Sequence, residues 1–159
     1  MNRRDFLVTG ATAFAAGVTA RAGAQATEHQ HAHTAHAADA KTSGLPAGAV
    51  QNAAVVDAAA ECMKSGEICR EHCLEALRAG DASMVRCSKT VSAMLPVCSA
   101  VLALAVQGSS YLAEVARVCA KACHDCEAAC KEHAAHHEAC RRCMESCQRC
   151  AAACEKIAA

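Results

Sequence analysis

Cysteines are the residues of this chain with the clearest chemical potential, and they number 14 among 159 residues. From residue 119 onward they recur every three or four positions in two runs. These runs are Cys119, Cys123, Cys126, Cys130 and then Cys140, Cys143, Cys147, Cys150, Cys154. A step of three or four residues is the period of one face of an α-helix. The spacing therefore predicts thiols along the helix face where leucine and isoleucine ordinarily lie, so that the core itself is the binding site.

The other five cysteines lie on the apolar stripes of two earlier helical segments. The first stripe is Val55, Cys62, Cys69, Cys73, Leu77, and the second is Met84, Cys87, Val91, Met94, Cys98, Val101, Ala105. The third stripe is Leu112, Val115 and the first run of cysteines, and the fourth is His133, His136, the second run and Ile157. Charged residues such as Arg141 and Glu145 fall between these positions, as a solvated helix face requires. Each helix is expected to point cysteine toward a shared interior.

Two glycine-containing breaks divide this helical region. Glycine suits the residue after a helix and Asp or Ser suits the N-cap of the next one, which is the order at Gly80-Asp81 and Gly108-Ser109-Ser110. The breaks predict helices near 49–79, 82–107 and 110–131, and a fourth from about 135 to 157 whose start has no glycine or proline signal. Four helices with short turns favour an all-α fold, an up-down-up-down four-helix bundle with a cysteine-lined core.

The first 48 residues are predicted to lie outside that bundle. Residues 1–26 carry paired arginines, then an apolar stretch and small residues, which is typical of a cleaved twin-arginine signal peptide. We therefore expect an exported, periplasmic protein, and no later segment is judged long and apolar enough to span a membrane. Residues 27–48 indicate a flexible His-rich tail, whose histidines either capture metal ions or form a solvated spacer. Residues 49–159 are the predicted metal-binding domain.

Charge and residue types argue against two classes of function. After residue 26 the chain has 13 basic and 15 acidic side chains, which offers no basis for binding nucleic acid. No residues form the pattern of a nucleophile with an oriented base. We therefore do not expect an enzyme.

The metal expected for a sulfur-lined core follows from charge. A metal-bound thiolate is anionic, and an uncompensated anion in a low-dielectric interior costs at least several kcal/mol. Monovalent Cu(I) neutralises about one thiolate per ion with two or three soft ligands, whereas Zn²⁺ prefers a closed set of four. We expect multiple Cu(I) ions. Three alternatives stay open: a zinc or cadmium buffer, a disulfide-bonded structural bundle and a thiol oxidoreductase.

The chain resembles the bacterial copper storage proteins over about residues 53–159. The stretches that carry the resemblance are Cys62-x6-Cys69-x2-His72-Cys73, Asp81-Ala82-Ser83-Met84-x2-Cys87 and Cys140-x2-Cys143-x3-Cys147-x2-Cys150-x3-Cys154. The resemblance implies a bundle holding many Cu(I) ions. With the leader, it implies the exported branch, whose members form tetramers and supply copper to enzymes or chaperones. It also implies metal binding by His72 and Met84, which match residues at the open end of the bundle, although Ala76 and Ala79 stand where that branch would have methionine.

A second set of histidines is predicted at the same open end. In an up-down bundle the turn between the third and fourth helices lies at the same end as the first turn. The turn residues His133, His136 and His137 are therefore brought to the end where His72 and Met84 lie. We hypothesise a His/Met mouth through which Cu(I) reaches the thiolates. The alternative is that these histidines are only solvated.

Overall fold

A computed structural model describes residues 44–159, and every regular element in that range is helical. The elements are α1 Ala47–Gln51, α2 Ala53–Arg78, a 3-10 turn Ala82–Met84, α3 Val85–Gln107, α4 Leu112–Lys131 and α5 Glu138–Ala158. The predicted all-α class is confirmed. The signal peptide predicted for residues 1–26, and the predicted His-rich tail up to residue 43, lie outside the described residues.

The four long helices, α2 to α5, form the bundle. α2 packs on α3 and α5, and α4 packs on the same two helices, so each long helix has two neighbours around a common interior. Short turns join consecutive helices and make each antiparallel to the next, which is the predicted up-down-up-down arrangement. A helix of 20 to 26 residues is about 30–39 Å long, so the packed interior extends over about that length.

Small side chains build the interior of the bundle. Most positions of the predicted stripes are buried, although outlying members such as Leu77, Val115 and Ile157 are only half-buried, and residues outside the stripes such as Ala59 and Leu95 are buried as well. All 14 cysteines are 0 % exposed, and the other largest fully buried side chains are Met84, Met94, Val55, Val91 and Val101. Within residues 44–159 no phenylalanine, tyrosine or tryptophan is buried. Sulfur therefore occupies the volume that large apolar side chains fill in other bundles.

Glycine ends a helix at each of the two predicted breaks. Gly80 and Gly108 have φ of 93° and 62°, the left-handed region in which residues with a Cβ are strained. Asp81 follows the first of them and accepts hydrogen bonds from the backbone N and the hydroxyl of Ser83. These bonds cap the 3-10 turn that leads into α3, and the Gly80-Asp81 break predicted this N-cap.

Two helices begin later than the sequence predicted. The Ser109 hydroxyl accepts a hydrogen bond from the backbone N two residues on, and α4 begins at Leu112 and not near residue 110. The backbone N of His137 donates to the His133 carbonyl at 3.0 Å and closes a turn. His137 then has an extended backbone, so α5 begins at Glu138 and not near residue 135. The first two residues of the predicted stripe, His133 and His136, therefore precede the fourth helix.

A short helix, α1, precedes the bundle as a separate element, whereas the sequence predicted one unbroken helix near 49–79. The break is at Asn52, whose φ of −107° and ψ of 22° are not helical. The Asn52 side-chain amide donates to the Ala105 carbonyl in the last turn of α3 at 3.0 Å. The Ala105 carbonyl also accepts from the backbone N of Gly108 at 3.2 Å, so the Asn52 bond is its second, and it ties α1 to the end of α3.

α3 is more apolar than the sequence analysis allowed. The segment Ala82–Gln107, whose most apolar 18-residue window has a mean hydropathy of 1.8, is long and apolar enough to cross a membrane by length and composition alone, contrary to the expectation that no later segment would be. A third of that segment's most apolar window is buried in the bundle. Its inward side carries Cys87 and Cys98, and Leu102 and Leu104 are half-buried against the core. The apolarity arises because no charged residue follows Lys89 in this helix.

Gly48 allows α1 to lie directly against the end of α3, which makes it a test of this packing. A Cβ at Gly48 would lie 2.4 Å from Gly108 N and 2.5 Å from Val106 O, backbone atoms that cannot yield alone. We expect Gly48→Ala to lower the free energy of unfolding by about 1–3 kcal/mol, measured by denaturant titration of the reduced, metal-free protein. Gln51→Ala, at an exposed position of the same helix, is the control and should change it little. Equal stability of the two variants would contradict the close packing of α1.

Candidate metal centre

Fourteen thiols from the four long helices meet in the bundle interior, and all are free cysteines. They are Cys62, Cys69, Cys73 from α2; Cys87, Cys98 from α3; Cys119, Cys123, Cys126, Cys130 from α4; and Cys140, Cys143, Cys147, Cys150, Cys154 from α5. Every one of these residues was predicted to point inward, and each is fully buried. We call these sulfur atoms the sulfur column.

The thiols form five groups in which every Sγ lies within 4.8 Å of the others. The groups are Cys69/Cys73/Cys87/Cys140, Cys69/Cys130/Cys143, Cys126/Cys143/Cys147, Cys62/Cys98/Cys123/Cys150 and Cys119/Cys150/Cys154. Three cysteines, Cys69, Cys143 and Cys150, each belong to two groups. The third and fourth groups are joined by Cys62 and Cys147, whose Sγ atoms are 3.8 Å apart. The sulfur atoms therefore make one continuous column and not five separate sites.

The spacing of the sulfur atoms suits metal ions better than disulfides. The Cys87 and Cys130 Sγ atoms are 3.5 Å apart, and those of Cys126 and Cys130 are 4.0 Å apart. A disulfide requires sulfur atoms about 2.0 Å apart. Sulfur atoms that share one ion through bonds of about 2.3 Å lie about 3.8–4 Å from one another in tetrahedral or trigonal arrangements. The column is therefore arranged for soft cations with three or four sulfur ligands.

Neighbouring thiols alter one another's ionisation. Hydrogen bonds from Cys123 and Cys147 lower the pKa of the Cys62 thiol to about 5. The hydrogen bonds that Cys98 makes with Cys119 and Cys123 raise the pKa of Cys98 above its ordinary value. Both shifts have one cause, because a sulfur that loses its proton is stabilised by the S–H groups around it, and those groups then hold their own protons more tightly. Neighbouring thiols in the column therefore have pKa values shifted in opposite directions.

No charged side chain is buried beside the column in the part of the chain that the structure describes. The only buried polar side chains there are Ser65 and Ser146. The Ser146 hydroxyl donates to the Cys143 carbonyl at 2.9 Å, and the Ser65 hydroxyl donates to Glu61 at 3.4 Å. Neither hydroxyl stabilises a thiolate. If several thiols ionise together, their negative charge must be neutralised by cations bound among them.

Histidines meet at the end of the bundle where the turn between α4 and α5 lies. His72 Nε2 and His137 Nδ1 form a hydrogen bond of 2.9 Å, and the His133 and His137 rings pack edge to face with centroids 6.1 Å apart. His133 Nε2 is buried and has no hydrogen-bond partner, which is uncommon for a buried polar atom. Met84 is fully buried. Because His72 directly precedes a cysteine of the group Cys69/Cys73/Cys87/Cys140, the histidines lie at that group's end of the sulfur column.

His136 was predicted to lie with these histidines on the inward stripe, and that placement is wrong. Its side chain is exposed, because α5 begins only at Glu138 and His136 lies in the preceding turn. The stretch from Lys131 to Ala139 contains no glycine or proline that could have marked this turn.

Met94 is the residue in the sulfur-lined interior to which the sequence analysis gave no role. Its Sδ lies 3.2 Å from Cys98 Sγ and 3.6 Å from Cys62 Sγ. The signal was present in the sequence, because Met94 falls on the same helical stripe as Cys87 and Cys98.

A family model and solved structures both relate this chain to copper storage proteins. The family model described as "Copper storage protein" matches residues 49–159. The apo form of copper storage protein 3 from Bacillus subtilis is 27 % identical with a TM-score of 0.60, over 68 % of this chain and 99 % of that one. A copper storage protein from Streptomyces lividans loaded with 10 copper equivalents is 28 % identical with a TM-score of 0.62, over 67 % and 83 %. A cytosolic copper storage protein from the same organism, loaded with five coppers, is 27 % identical with a TM-score of 0.63, over 70 % and 94 %. A search of curated protein sequences gives no match.

The burial and spacing of the thiols predict their reactivity. All 14 should be slow to react with a thiol reagent in the native, metal-free protein and should all react after denaturation without reductant, because they are buried but unpaired. A colorimetric thiol count on anaerobically handled protein measures both states. The control is the same denatured sample treated with a reductant and then freed of it. A count that is well below 14 and rises after reduction would show disulfides and contradict the free-thiol column.

Proposed function

The chain belongs to the copper storage protein family, and from that premise we propose that it holds its copper as Cu(I), bound by the thiolates of the sulfur column. One observation carries the proposal: 14 free, fully buried thiols form a single continuous column inside the bundle. The copper-loaded relative from Streptomyces lividans supports copper as the cargo.

The charge of the interior supports a monovalent ion. No buried cationic side chain in residues 44–159 offsets the thiolates, so the metal ions must do so. One Cu(I) per thiolate leaves the column neutral. One Zn²⁺ per four thiolates leaves two negative charges per site in a low-dielectric interior. Cu(I) also accepts two or three soft ligands, and three of the five groups offer three sulfur atoms.

The shared cysteines support many ions over a few isolated ones. Cys69, Cys143 and Cys150 each lie within reach of two groups, so each of these thiolates can bridge ions on either side of it. Bridging lowers the number of thiolates needed per ion. A column in which neighbouring groups share ligands can therefore fill along its length toward one ion per thiolate.

A storage role that involves no catalysis agrees with the burial of the thiols. A thiol oxidoreductase needs at least one accessible cysteine of lowered pKa. Each cysteine in the described part of the chain is fully buried, so none is presented to a protein substrate.

We propose that the histidine end of the bundle admits copper. His72, His133 and His137 contact one another at one end of the bundle, and Met84 is fully buried in the 3-10 turn that joins α2 to α3. The buried Nε2 of His133 supports this role, because it has no hydrogen-bond partner to lose when it binds an ion. Imidazole and thioether bind Cu(I) more weakly than thiolates, so ions held here pass readily to the thiolates.

We also propose an exported, periplasmic protein that assembles into homotetramers and supplies copper to enzymes or chaperones. Export rests on the twin-arginine pattern of residues 1–26. The tetramer and the recipients rest on the resemblance to the exported branch of the family. The uncharged outer side of α3 supports self-association, since Ser and Ala predominate there and no charge follows Lys89.

The stoichiometry of copper binding tests the proposed function. Titration of the reduced protein with Cu(I), in competition with a chromogenic chelator, should continue to about one ion per thiolate, or about 14 per chain. Zinc in the same experiment should saturate at about one ion per four thiolates. Copper saturation at only three or four equivalents would contradict a continuous, thiolate-bridged store.

The rate of copper uptake tests the histidine end. The combined His72→Ala, His133→Ala and His137→Ala variant should take up Cu(I) several-fold more slowly from a labile donor, with unchanged final stoichiometry, because the thiolates remain. His136→Ala, which removes an exposed histidine of the same turn, is the matched control and should load at the unaltered rate. Equal rates in all three proteins would eliminate the proposed route.

A further inference from the structure

One sulfur atom in the bundle interior belongs to a thioether and not to a thiol. Met94 is fully buried, and its Sδ contacts Cys98 Sγ at 3.2 Å and Cys62 Sγ at 3.6 Å. Both cysteines belong to the group Cys62/Cys98/Cys123/Cys150. Met94 therefore touches two members of a candidate metal site that lies beyond the histidine end.

The packing of α2 holds Met94 in this position. A Cβ on Gly66 would lie 2.9 Å from Met94 Cε and 2.9 Å from Leu95 Cδ2. Glycine is one of the least favourable residues for the interior of a helix. In α2 it stands where the Met94 methyl group approaches the helix backbone, while the sulfur atom of the same side chain lies against the cysteines.

The position of the Met94 sulfur suits a cation shared with the two cysteines. The thioether is only an acceptor, and its Sδ lies 3.2 Å from Cys98 Sγ and 3.6 Å from Cys62 Sγ. A cation among the three sulfur atoms would bind the lone pairs of all three.

We propose that Met94 is a copper ligand, whose thioether completes the coordination of a Cu(I) ion held by Cys62 and Cys98. The inference rests on the proposed storage of Cu(I) in the column. Thioethers are soft ligands that suit Cu(I). Because the thioether is neutral, it gives this ion a third ligand without adding a negative charge to the interior.

Selenomethionine labelling reports on Met94 directly. In the labelled, Cu(I)-loaded protein, X-ray absorption at the selenium edge detects copper only if it is bonded to a methionine. Met84 is a second proposed ligand, so the measurement starts from Met84→Leu, which removes that contribution. Leucine conserves volume in cores, and circular dichroism checks the fold of each variant. The matched control combines Met84→Leu with Met144→Leu, which replaces a half-buried methionine.

We expect a copper neighbour of selenium in Met84→Leu and in the Met84→Leu, Met144→Leu control. It should disappear in Met84→Leu, Met94→Leu. Absence of the copper neighbour in Met84→Leu, or its persistence after Met94→Leu, would overturn the inference. The copper edge of the same samples separates this failure from failure of the storage proposal. If the selenium result fails but copper is still coordinated by sulfur at high stoichiometry in every variant, the storage proposal stands and Met94 is eliminated as a ligand. Low copper stoichiometry in the starting protein would overturn both proposals.

Discussion

The dual character of the cysteine side chain is the constraint on which this structure depends. A protonated thiol behaves as a small apolar group, so 14 of them can fill the interior of a helical bundle. A metal-bound thiolate is an anion, and burying many anions without countercharge is prohibitive. The same interior is therefore stable in two forms, one with protons on the sulfur atoms and one with cations between them. The absence of buried cationic side chains in residues 44–159 leaves the metal as the source of countercharge.

This constraint also explains the unusual core. Cysteine, alanine and valine bring the helices together, and no large aromatic side chain is buried in the described region. Close approaches depend on glycine, as where Gly48 meets the end of α3 and Gly66 meets Met94. The result is a continuous line of sulfur atoms in which single cysteines such as Cys143 belong to more than one group.

Helical periodicity alone predicted the fold class and the inward direction of all fourteen cysteines. It succeeded because the sulfur stripe is both the core and the candidate site, so one pattern encodes both. It failed at helix ends, where individual hydrogen bonds determine the position of each residue. Asn52 breaks the first helix because its side chain reaches a carbonyl of α3, and His136 is exposed because the turn closes on the His133 carbonyl. Met94 contacts Cys98 one turn along the same helix, but its contact with Cys62 depends on the pairing of α2 with α3, which no local pattern contains.

The central claim is that copper lies inside the bundle, along the sulfur column. Anomalous diffraction at the copper edge, from crystals of the fully loaded protein, tests it most directly. The account predicts copper peaks in an unbroken line through the interior, each bonded to two or three sulfur atoms and sharing a sulfur with the next. Copper peaks concentrated at surface histidines, or confined to a few isolated four-sulfur sites with empty stretches between them, would contradict it.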